Sequence, residues 1–238
     1  MPQSFAQRSA QPELMDDPAI GYGAFHDCLR DLEIVNRLTL AYRPTLRWLR
    51  SAARGLDLEP PISILDVGCG GGDALRRIAR WGARHRQAFD LAGIDLNPWS
   101  KQYADQATPA PPAIRFITGD IFRMAPSPAP DFIISSLFTH HLGDELLICF
   151  LQWMERHARH GWFINDLHRH PVPYYFFKRA SRLLRLNEMV QHDGPISIAR
   201  AFVKADWIKY LAAAQIPLNQ VEIRWFFPFR IGIARRKP

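Results

Sequence analysis

The sequence lacks the hydrophobic segments that carry a protein into or across a membrane. It contains no run of about 18 consecutive apolar residues, so we expect no transmembrane helix. Its start, Met-Pro-Gln-Ser-Phe-Ala-Gln-Arg, also lacks the basic and then apolar blocks of a signal peptide. We therefore expect a cytoplasmic protein.

Cysteine is scarce, and its spacing excludes two kinds of cross-linked structure. The three cysteines, Cys28, Cys69 and Cys149, lie far apart, and no Cys-x-x-Cys pair is present. An odd number of isolated cysteines argues against a disulfide framework and against a zinc cluster. The pattern suits a reducing compartment, and we predict no metal ion.

Acidic residues are fewer than basic ones, so two kinds of anionic partner have to be considered. The chain has 23 Asp and Glu against 30 Lys and Arg, a net charge of +7. A basic protein can bind nucleic acid or an anionic membrane surface. The basic residues of 76–86 and 178–185, however, are spread along helical faces, as on a solvated surface. We therefore do not expect a nucleic-acid partner, and we leave peripheral membrane contact and the oligomeric state open.

The sequence does contain a regular alternation of strand and helix patterns. With 238 residues, 47% of them apolar, it can build one large α/β domain or two small ones. Residues 1–23, rich in Pro, Gly and Asp, are expected to be loose, and 24–54 show helical spacing that Pro44 divides. Strands are predicted at 62–67, 88–95, 114–120, 131–138 and 161–166, helices at 73–82, from 97, at 143–158 and at 205–215, and a final strand pair at 218–225 and 228–234. Strands separated by helices pair in parallel, whereas the short link in the final pair forces an antiparallel arrangement.

The stretch 62–73 combines a strand, a glycine turn and a helix start. Glycines at 68, 70 and 72 allow a sharp turn and let a ligand approach the backbone. The free N–H groups of the following helix make this turn a site for an anion or a polar group. The dinucleotide pattern Gly-x-Gly-x-x-Gly does not fit, because its last position falls on Asp73 or Leu75. The phosphate-loop pattern fails too, since no Lys-Ser or Lys-Thr follows.

The remaining pattern is an acid followed by alternating glycines. Asp66, Gly68, Gly70 and Gly72, with Asp95 ending the next predicted strand, resemble the first motif of the class I S-adenosylmethionine (SAM)-dependent methyltransferases. The resemblance covers about residues 60–235 and implies an α/β, Rossmann-like, seven-stranded and mostly parallel sheet with helices on both faces and an antiparallel last strand. We interpret 1–238 as a single methyltransferase domain with an N-terminal helical cap (1–58), a SAM-binding core (60–166), an inserted lid or substrate segment (167–203) and a C-terminal helix and strand pair (204–238).

The resemblance implies roles for the residues at the strand ends. The residues implied to bind SAM are Asp66, Gly68, Gly70, Gly72, Asp95, Leu96, Asp120, Ile121, Ser136 and Leu137. Asp66 and the glycines would contact the methionine part, and Asp95 would accept both ribose hydroxyls. Asp120 and the Ile121 backbone would bind adenine, and a backbone carbonyl of Ser136 or Leu137 would bind the SAM amino group.

Thr-His-His-Leu at 139–142 resembles the branch that methylates small molecules on oxygen or quinones on carbon. DNA amino-methyltransferases have Asn-Pro-Pro-Tyr here, and this chain does not. His140 or His141 is a candidate general base, since the pKa of histidine lies near neutrality. A structural histidine bonded to the loop is the alternative.

A second polar cluster, 165–170, follows the fifth predicted strand. It resembles the metal-dependent catechol-type enzymes only in Asn165 and Asp166, and the acid that those enzymes carry after the fourth strand is absent. The lid contains an amphipathic helix from Phe176 that could close over an apolar substrate, lie at a membrane or pack on the sheet. The candidate substrate residues are His168, His192, Asp193 and Arg200.

Together these patterns predict a SAM-dependent methyltransferase with a small, partly apolar acceptor. The favoured reaction is O-methylation of a phenolic or polyketide-like hydroxyl. The alternatives are C-methylation of a quinone-type ring, an RNA-binding methyltransferase, and a non-catalytic protein with the same fold.

Overall fold

The computed structural model describes residues 4–54, 61–110 and 113–237. The predicted boundary between cap and core at 58–60, and Pro111 and Pro112, lie outside these ranges. The helices are α1 (Tyr22–Leu38), α2 (Arg43–Ala52), α3 (Asp73–His85), α4 (Pro98–Ala107), α5 (Asp144–His157), α6 (Pro171–Leu183), α7 (Glu188–Arg200) and α8 (Lys204–Ala213). The strands are β1 (Ile62–Val67), β2 (Phe89–Asp95), β3 (Ile114–Thr118), β4 (Phe132–Ser136), β5 (Gly161–Leu167), β6 (Val221–Phe226) and β7 (Arg230–Arg236).

The seven strands form one sheet in the order β3-β2-β1-β4-β5-β7-β6. The first five strands along the chain pair in parallel, and β7 is antiparallel to both of its neighbours. The strand order reverses between β1 and β4, which is where open α/β sheets bind ligands beyond their carboxyl ends. The predicted fold class is confirmed.

Both faces of the sheet are covered, which explains why the central strands read as nearly continuous apolar runs. Along β1, Ile62 and Ile64 pack with α2, α3 and α4, whereas Leu65 and Val67 pack with α5 and α8. In β4, Ile133 is fully buried on the α5 side. Each such side chain contributes about 1.5–3 kcal/mol through burial, so the strand ends are held on a rigid base.

The two N-terminal helices have different positions. In α2, Trp48 stacks on Phe163 of β5 with ring centroids 5.2 Å apart, so this helix covers the sheet. In α1, Phe25 and Leu29 pack on Tyr103 of α4, beside the carboxyl ends of the strands. Helix α2 therefore packs in the hydrophobic core, whereas α1 forms part of the wall of the cavity described below.

Residues 1–23 were expected to be loose, and for the described residues from 4 onward this expectation is wrong. We call residues 4–18 the N-terminal strap. Arg8 donates hydrogen bonds to the carbonyls of Leu142 (2.9 Å) and Arg200 (2.8 Å). The buried carboxylate of Asp193 accepts the N–H groups of Leu14 (2.8 Å) and Met15 (3.0 Å). These partners are distant in sequence, so local composition does not reveal them.

The segment 167–203 forms two packed helices, of which only the first was predicted. His170 caps α6 by accepting the Val172 N–H at 3.1 Å. Helix α7 contains Pro195, whose missing N–H makes the sequence a poor match to a helix interior. Its start is fixed by Asn187, whose side chain accepts the Met189 N–H at 2.8 Å. No helix among the described residues has the length and apolar character needed to cross a bilayer.

Candidate active site

A cavity of about 1180 Å³ lies at the carboxyl ends of the strands. Its walls come from the glycine turn, the loops after β2, β3 and β4, helices α1 and α6, and the turn between β6 and β7. Pockets for single small ligands span roughly 300–1,000 Å³. This cavity is large enough for a cofactor and a second molecule.

The glycine turn adopts a conformation that other residues rarely take. Gly68 and Gly72 have φ of +68° and +72°, and a Cβ on Gly72 would stand 2.5 Å from the ring of Phe116. The N–H of Gly70 donates to Oδ2 of Asp95 at 2.9 Å. This hydrogen bond holds the glycine turn against the end of β2, and the backbone of the turn faces the cavity.

Two acids flank this turn, the buried Asp66 and the half-buried Asp95. Burial raises the pKa of Asp66, and its Oδ1 has no hydrogen-bond partner among the described residues. Burial also raises the pKa of Asp95, although the N–H groups of Asn97 and Gly70 favour its charged form. An unpartnered buried carboxylate oxygen beside bare backbone fits a ligand that brings donors, such as the amino and ribose groups of SAM.

The predicted cofactor residues converge on this cavity with one exception. Asp66, Gly68, Gly70, Asp95, Leu96, Asp120, Ile121, Ser136 and Leu137 line it. Gly72 does not, and it instead starts α3. Asp120 accepts the Phe122 N–H at 2.9 Å and lies 3.6 Å from the Arg123 guanidinium. Their individual contacts with SAM stay predictions.

The loop after β4 carries a histidine in contact with a buried acid. His140 Nδ1 lies 2.7 Å from Oδ1 of Asp166, and the His140 backbone N–H donates to Oδ2 of Asp166 at 3.0 Å. The Thr139 hydroxyl also donates to Oδ2. Burial alone would raise the pKa of Asp166, but His140 and these hydrogen bonds outweigh it and lower the pKa to about 2. Asp166 is therefore an anion that orients the His140 ring.

On its other side, His140 faces the N-terminal strap. Its Nε2 lies 3.9 Å from Oε1 of Glu13, a residue that is only 3% exposed. This oxygen has no hydrogen-bond partner among the described residues. Oε2 of Glu13 accepts the Ser197 hydroxyl at 2.7 Å. The strap thus places a carboxylate beside the free ring nitrogen of His140.

His141 belongs to a neighbouring ion-pair network. Its Nδ1 lies 2.9 Å from Asp16, and Arg200 lies 3.2 Å from the same carboxylate. Burial would lower the pKa of His141, but the Asp16 hydrogen bond and the charges of Glu13 and Asp16 raise it. This pair joins the strap to the loop after β4.

The four predicted substrate residues do not come together. His168 lines the cavity, whereas His192, Asp193 and Arg200 do not. Asp193 anchors the strap, and His192 bonds to Asp193 at 2.8 Å. Arg200 donates to the carbonyls of His140 (3.1 Å) and His141 (2.9 Å). Arg200 therefore holds the histidine loop rather than facing the cavity.

One cluster among the described residues could hold a metal ion. Side-chain ligand atoms of Glu13, His140 and His141 lie within 4.8 Å of one another. The Arg200 guanidinium, however, lies 3.6 Å from Oε1 of Glu13 and already supplies positive charge there. The sequence predicts no metal, and we assign none to this cluster.

Comparisons with known proteins agree with the fold and the glycine turn. Residues 64–161 match the family model described as a methyltransferase domain. A comparison with curated protein sequences gave no match.

Several solved structures share the fold at low sequence identity. Human N-acetylserotonin methyltransferase in complex with SAM is 15% identical, with a TM-score of 0.61 over 91% of this chain and 56% of that chain. Magnesium protoporphyrin IX methyltransferase from Synechocystis PCC 6803 with bound SAH is 15% identical (TM-score 0.56, 93% of this chain, 90% of that chain). The plantazolicin methyltransferase with a triazolic analogue and SAH is 17% identical (TM-score 0.55, 90% and 86%). The chain thus spans just over half the length of the human enzyme.

The fold and the glycine turn define a class I methyltransferase domain, and the family match falls on that domain's core. Residues 64–161 therefore match a methyltransferase domain, and the chain has the fold of the class I SAM-dependent methyltransferases, as its sequence predicts.

Proposed function

We propose that the protein methylates a hydroxyl of a small, partly apolar acceptor, with His140 as the general base. The contact of 2.7 Å between His140 Nδ1 and Asp166 carries this proposal. A carboxylate anion at Nδ1 holds the proton on that nitrogen and leaves Nε2 with a free lone pair. A neutral imidazole oriented in this way can take a proton from a hydroxyl.

The cavity supports an acceptor of this type. Beyond the glycine turn and the acids, it is lined mainly by apolar side chains, including Leu167, Val172, Pro173, Phe176, Phe177, Ile198, Phe227 and Phe229. The names of the three structural relatives point to N-acetylserotonin, magnesium protoporphyrin IX and plantazolicin as their substrates. A partly apolar organic molecule would fit this wall, whereas an RNA strand would need a basic groove.

Bound SAM supplies a methyl group activated by a positively charged sulfur. The protein aligns the acceptor oxygen with that methyl group, and alignment provides much of the rate enhancement. His140 Nε2 would take the hydroxyl proton as the oxygen–carbon bond forms and the bond between the methyl group and the SAM sulfur breaks, which releases S-adenosylhomocysteine. The carboxylates of Glu13 and Asp166 on either side then stabilise the positive imidazolium.

C-methylation of a quinone-type ring is the alternative, with the same histidine removing a ring proton. The test is to incubate the protein with methyl-labelled SAM and a panel of phenols, hydroxylated polyketides and quinols, and to identify products by carbon NMR. We expect methyl signals at the shift of an aryl ether. Methyl groups bonded to ring carbon would favour the alternative, and no transfer to any panel member would contradict the proposed acceptor class.

A further inference from the structure

Helix α6 presents an apolar face that no described part of the chain covers. Val172, Phe176 and Leu183 lie on one side of the helix, four and seven residues apart, and the last two are 71% and 84% exposed. The opposite side faces the protein, since Ser181 is buried and Phe177 packs against Gly194 of α7. A surface helix of a globular protein normally turns its apolar side inward.

The turn between β6 and β7 continues this surface. Phe227 is 72% exposed there, and Trp225 is exposed on β6. The two segments adjoin, because the ring of His170, the cap of α6, stacks on Phe229 with centroids 5.2 Å apart. We call the exposed residues of both segments the apolar rim: Val172, Tyr175, Phe176, Leu183, Leu184, Trp225 and Phe227.

The charged side chains of α6 and of the turn that follows it are all of one sign. Residues 167–187 contain no Asp or Glu, and they carry the exposed cations Lys178, Arg179, Arg182 and Arg185, whereas Arg224 on β6 lies 3.8 Å from the carboxylate of Glu222. Apolar side chains flanked by Lys and Arg are typical of helices that lie in a membrane interface. Anionic headgroups attract such cations, while a protein partner would need a matching acidic and apolar face.

The apolar rim also borders the mouth of the cavity. Val172, Phe176 and Phe227 belong both to the rim and to the cavity lining. An apolar molecule leaving a bilayer at this surface would enter the cavity without crossing water.

We propose that the apolar rim docks the protein on the surface of an anionic phospholipid bilayer. The cations pair with headgroups, and the rim side chains insert among the upper acyl carbons. The proposal depends on this surface alone and not on the identity of the acceptor or the catalytic base.

Vesicle flotation of the full chain, without SAM or acceptor, tests the proposal. Vesicles of phosphatidylcholine with added phosphatidylglycerol should carry the protein upward, and pure phosphatidylcholine should carry much less. Higher salt should weaken binding, because exposed charges are screened. Absence of binding to both vesicle types would overturn the proposal, and the methylation assay would be unaffected by that result.

Two paired variants locate the binding surface. L183S combined with L184S should lower the partition coefficient at least about tenfold, since both leucines are exposed and neither lines the cavity. The matched control, I208S with L218S, changes two exposed apolar residues at α8 and before β6 and should bind like wild type. R179Q with R182Q should remove the preference for anionic lipid. The matched control, R84Q in the last turn of α3 with R86Q just after the helix, should retain that preference.

The same variants reveal a protein partner in place of a lipid. Thermal unfolding and the SAM-induced rise in melting temperature should be unchanged in L183S/L184S, which shows that the variant folds. Equal vesicle binding by that variant and wild type would overturn the proposal. So would a wild-type dimer in size-exclusion chromatography that the variant dissociates, because a second copy would then cover the rim.

Discussion

His140 and Asp166 form a buried pair, with Nδ1 and Oδ1 2.7 Å apart and side chains 3% and 0% exposed. The two residues come from different segments, the loop after β4 and the end of β5. Neighbouring parallel strands end at the same edge of the sheet, which brings these segments together. His140 lines the cavity and Asp166 does not, so the pair supports our proposal that His140 takes the proton of a bound hydroxyl while Asp166 orients its ring.

Replacing His140 should reduce turnover without preventing folding. We expect H140Q to lower kcat about 10²- to 10⁴-fold, the usual contribution of a general base, with little change in SAM affinity. The matched control is H157Q, since His157 lies on α5 away from the cavity lining and should be dispensable. Steady-state assays with the acceptor found by product NMR would measure this. Unchanged turnover in H140Q would remove the base hypothesis.

The Asp166 anion should make stability depend on acid pH. Its folded pKa is about 2 against an ordinary value of 3.8, so its stabilisation is present above pH 3.8 and is lost as pH falls toward 2. Removing one partner of a buried pair costs roughly 3–5 kcal/mol. We expect D166N to show about this loss in urea unfolding at pH 7, with the difference from wild type shrinking below pH 4. A constant difference down to pH 2 would contradict the pairing.

A side chain in the glycine turn should strain the fold. G72A places a Cβ 2.5 Å from Phe116 at a φ of +72°, and we expect it to lower the free energy of unfolding by more than about 1 kcal/mol. The control is G23A in α1, where no atom lies within 4 Å of the added Cβ. Alanine in a helix is favoured over glycine by roughly 0.5–1 kcal/mol, so this control should be neutral or stabilising. Equal unfolding curves for G72A and wild type would contradict the turn geometry.

Loss of the Asp193 carboxylate should release the N-terminal strap. D193A removes the acceptor of two backbone N–H groups, each worth about 1.5–3 kcal/mol when the acceptor is charged. We expect faster amide hydrogen exchange in residues 8–17 with unchanged exchange in the central strands. D105A, which removes an exposed ion pair with Lys101, provides the comparison. Uniformly faster exchange across the sheet would mean that Asp193 supports the whole fold instead.

The sheet and the glycine turn were predictable because the sequence patterns that specify them are local. Strands and turns are specified by patterns only a few residues long: apolar runs, the positions of proline and glycine, and the short link in the final strand pair. These patterns predicted the bounds of all seven strands to within a few residues. The acids at 66, 95 and 120 could be placed because parallel strands end at one edge. The roles assigned to residues in the loops after these strands came from the family resemblance.

The N-terminal strap and α7 were not predicted. The strap is held by contacts that are distant in sequence, and the helical pattern of α7 is interrupted by a proline. Glu13 and Asp16 acquire their positions through partners more than 120 residues away, and no sequence period marks such contacts. Pro195 argued against a helix at α7, although Asn187 is a residue typical of a helix N-cap and could have indicated where this helix begins. Likewise, Tyr42 and Asn36 bond to Asp73 at 2.6 and 3.0 Å beside the cavity, and neither stands in a recognisable motif.

Calorimetric titration with SAM tests the central claim most directly. The wild-type protein should bind one SAM molecule. D95A should weaken binding about 10- to 100-fold, the loss expected for hydrogen bonds to a charged acceptor. D90A, on the same strand but in an exposed pair with Arg115, should bind as tightly as wild type. Failure of the wild-type protein to bind SAM would contradict the account, and equal affinity in D95A would contradict the assignment of Asp95 to the ribose.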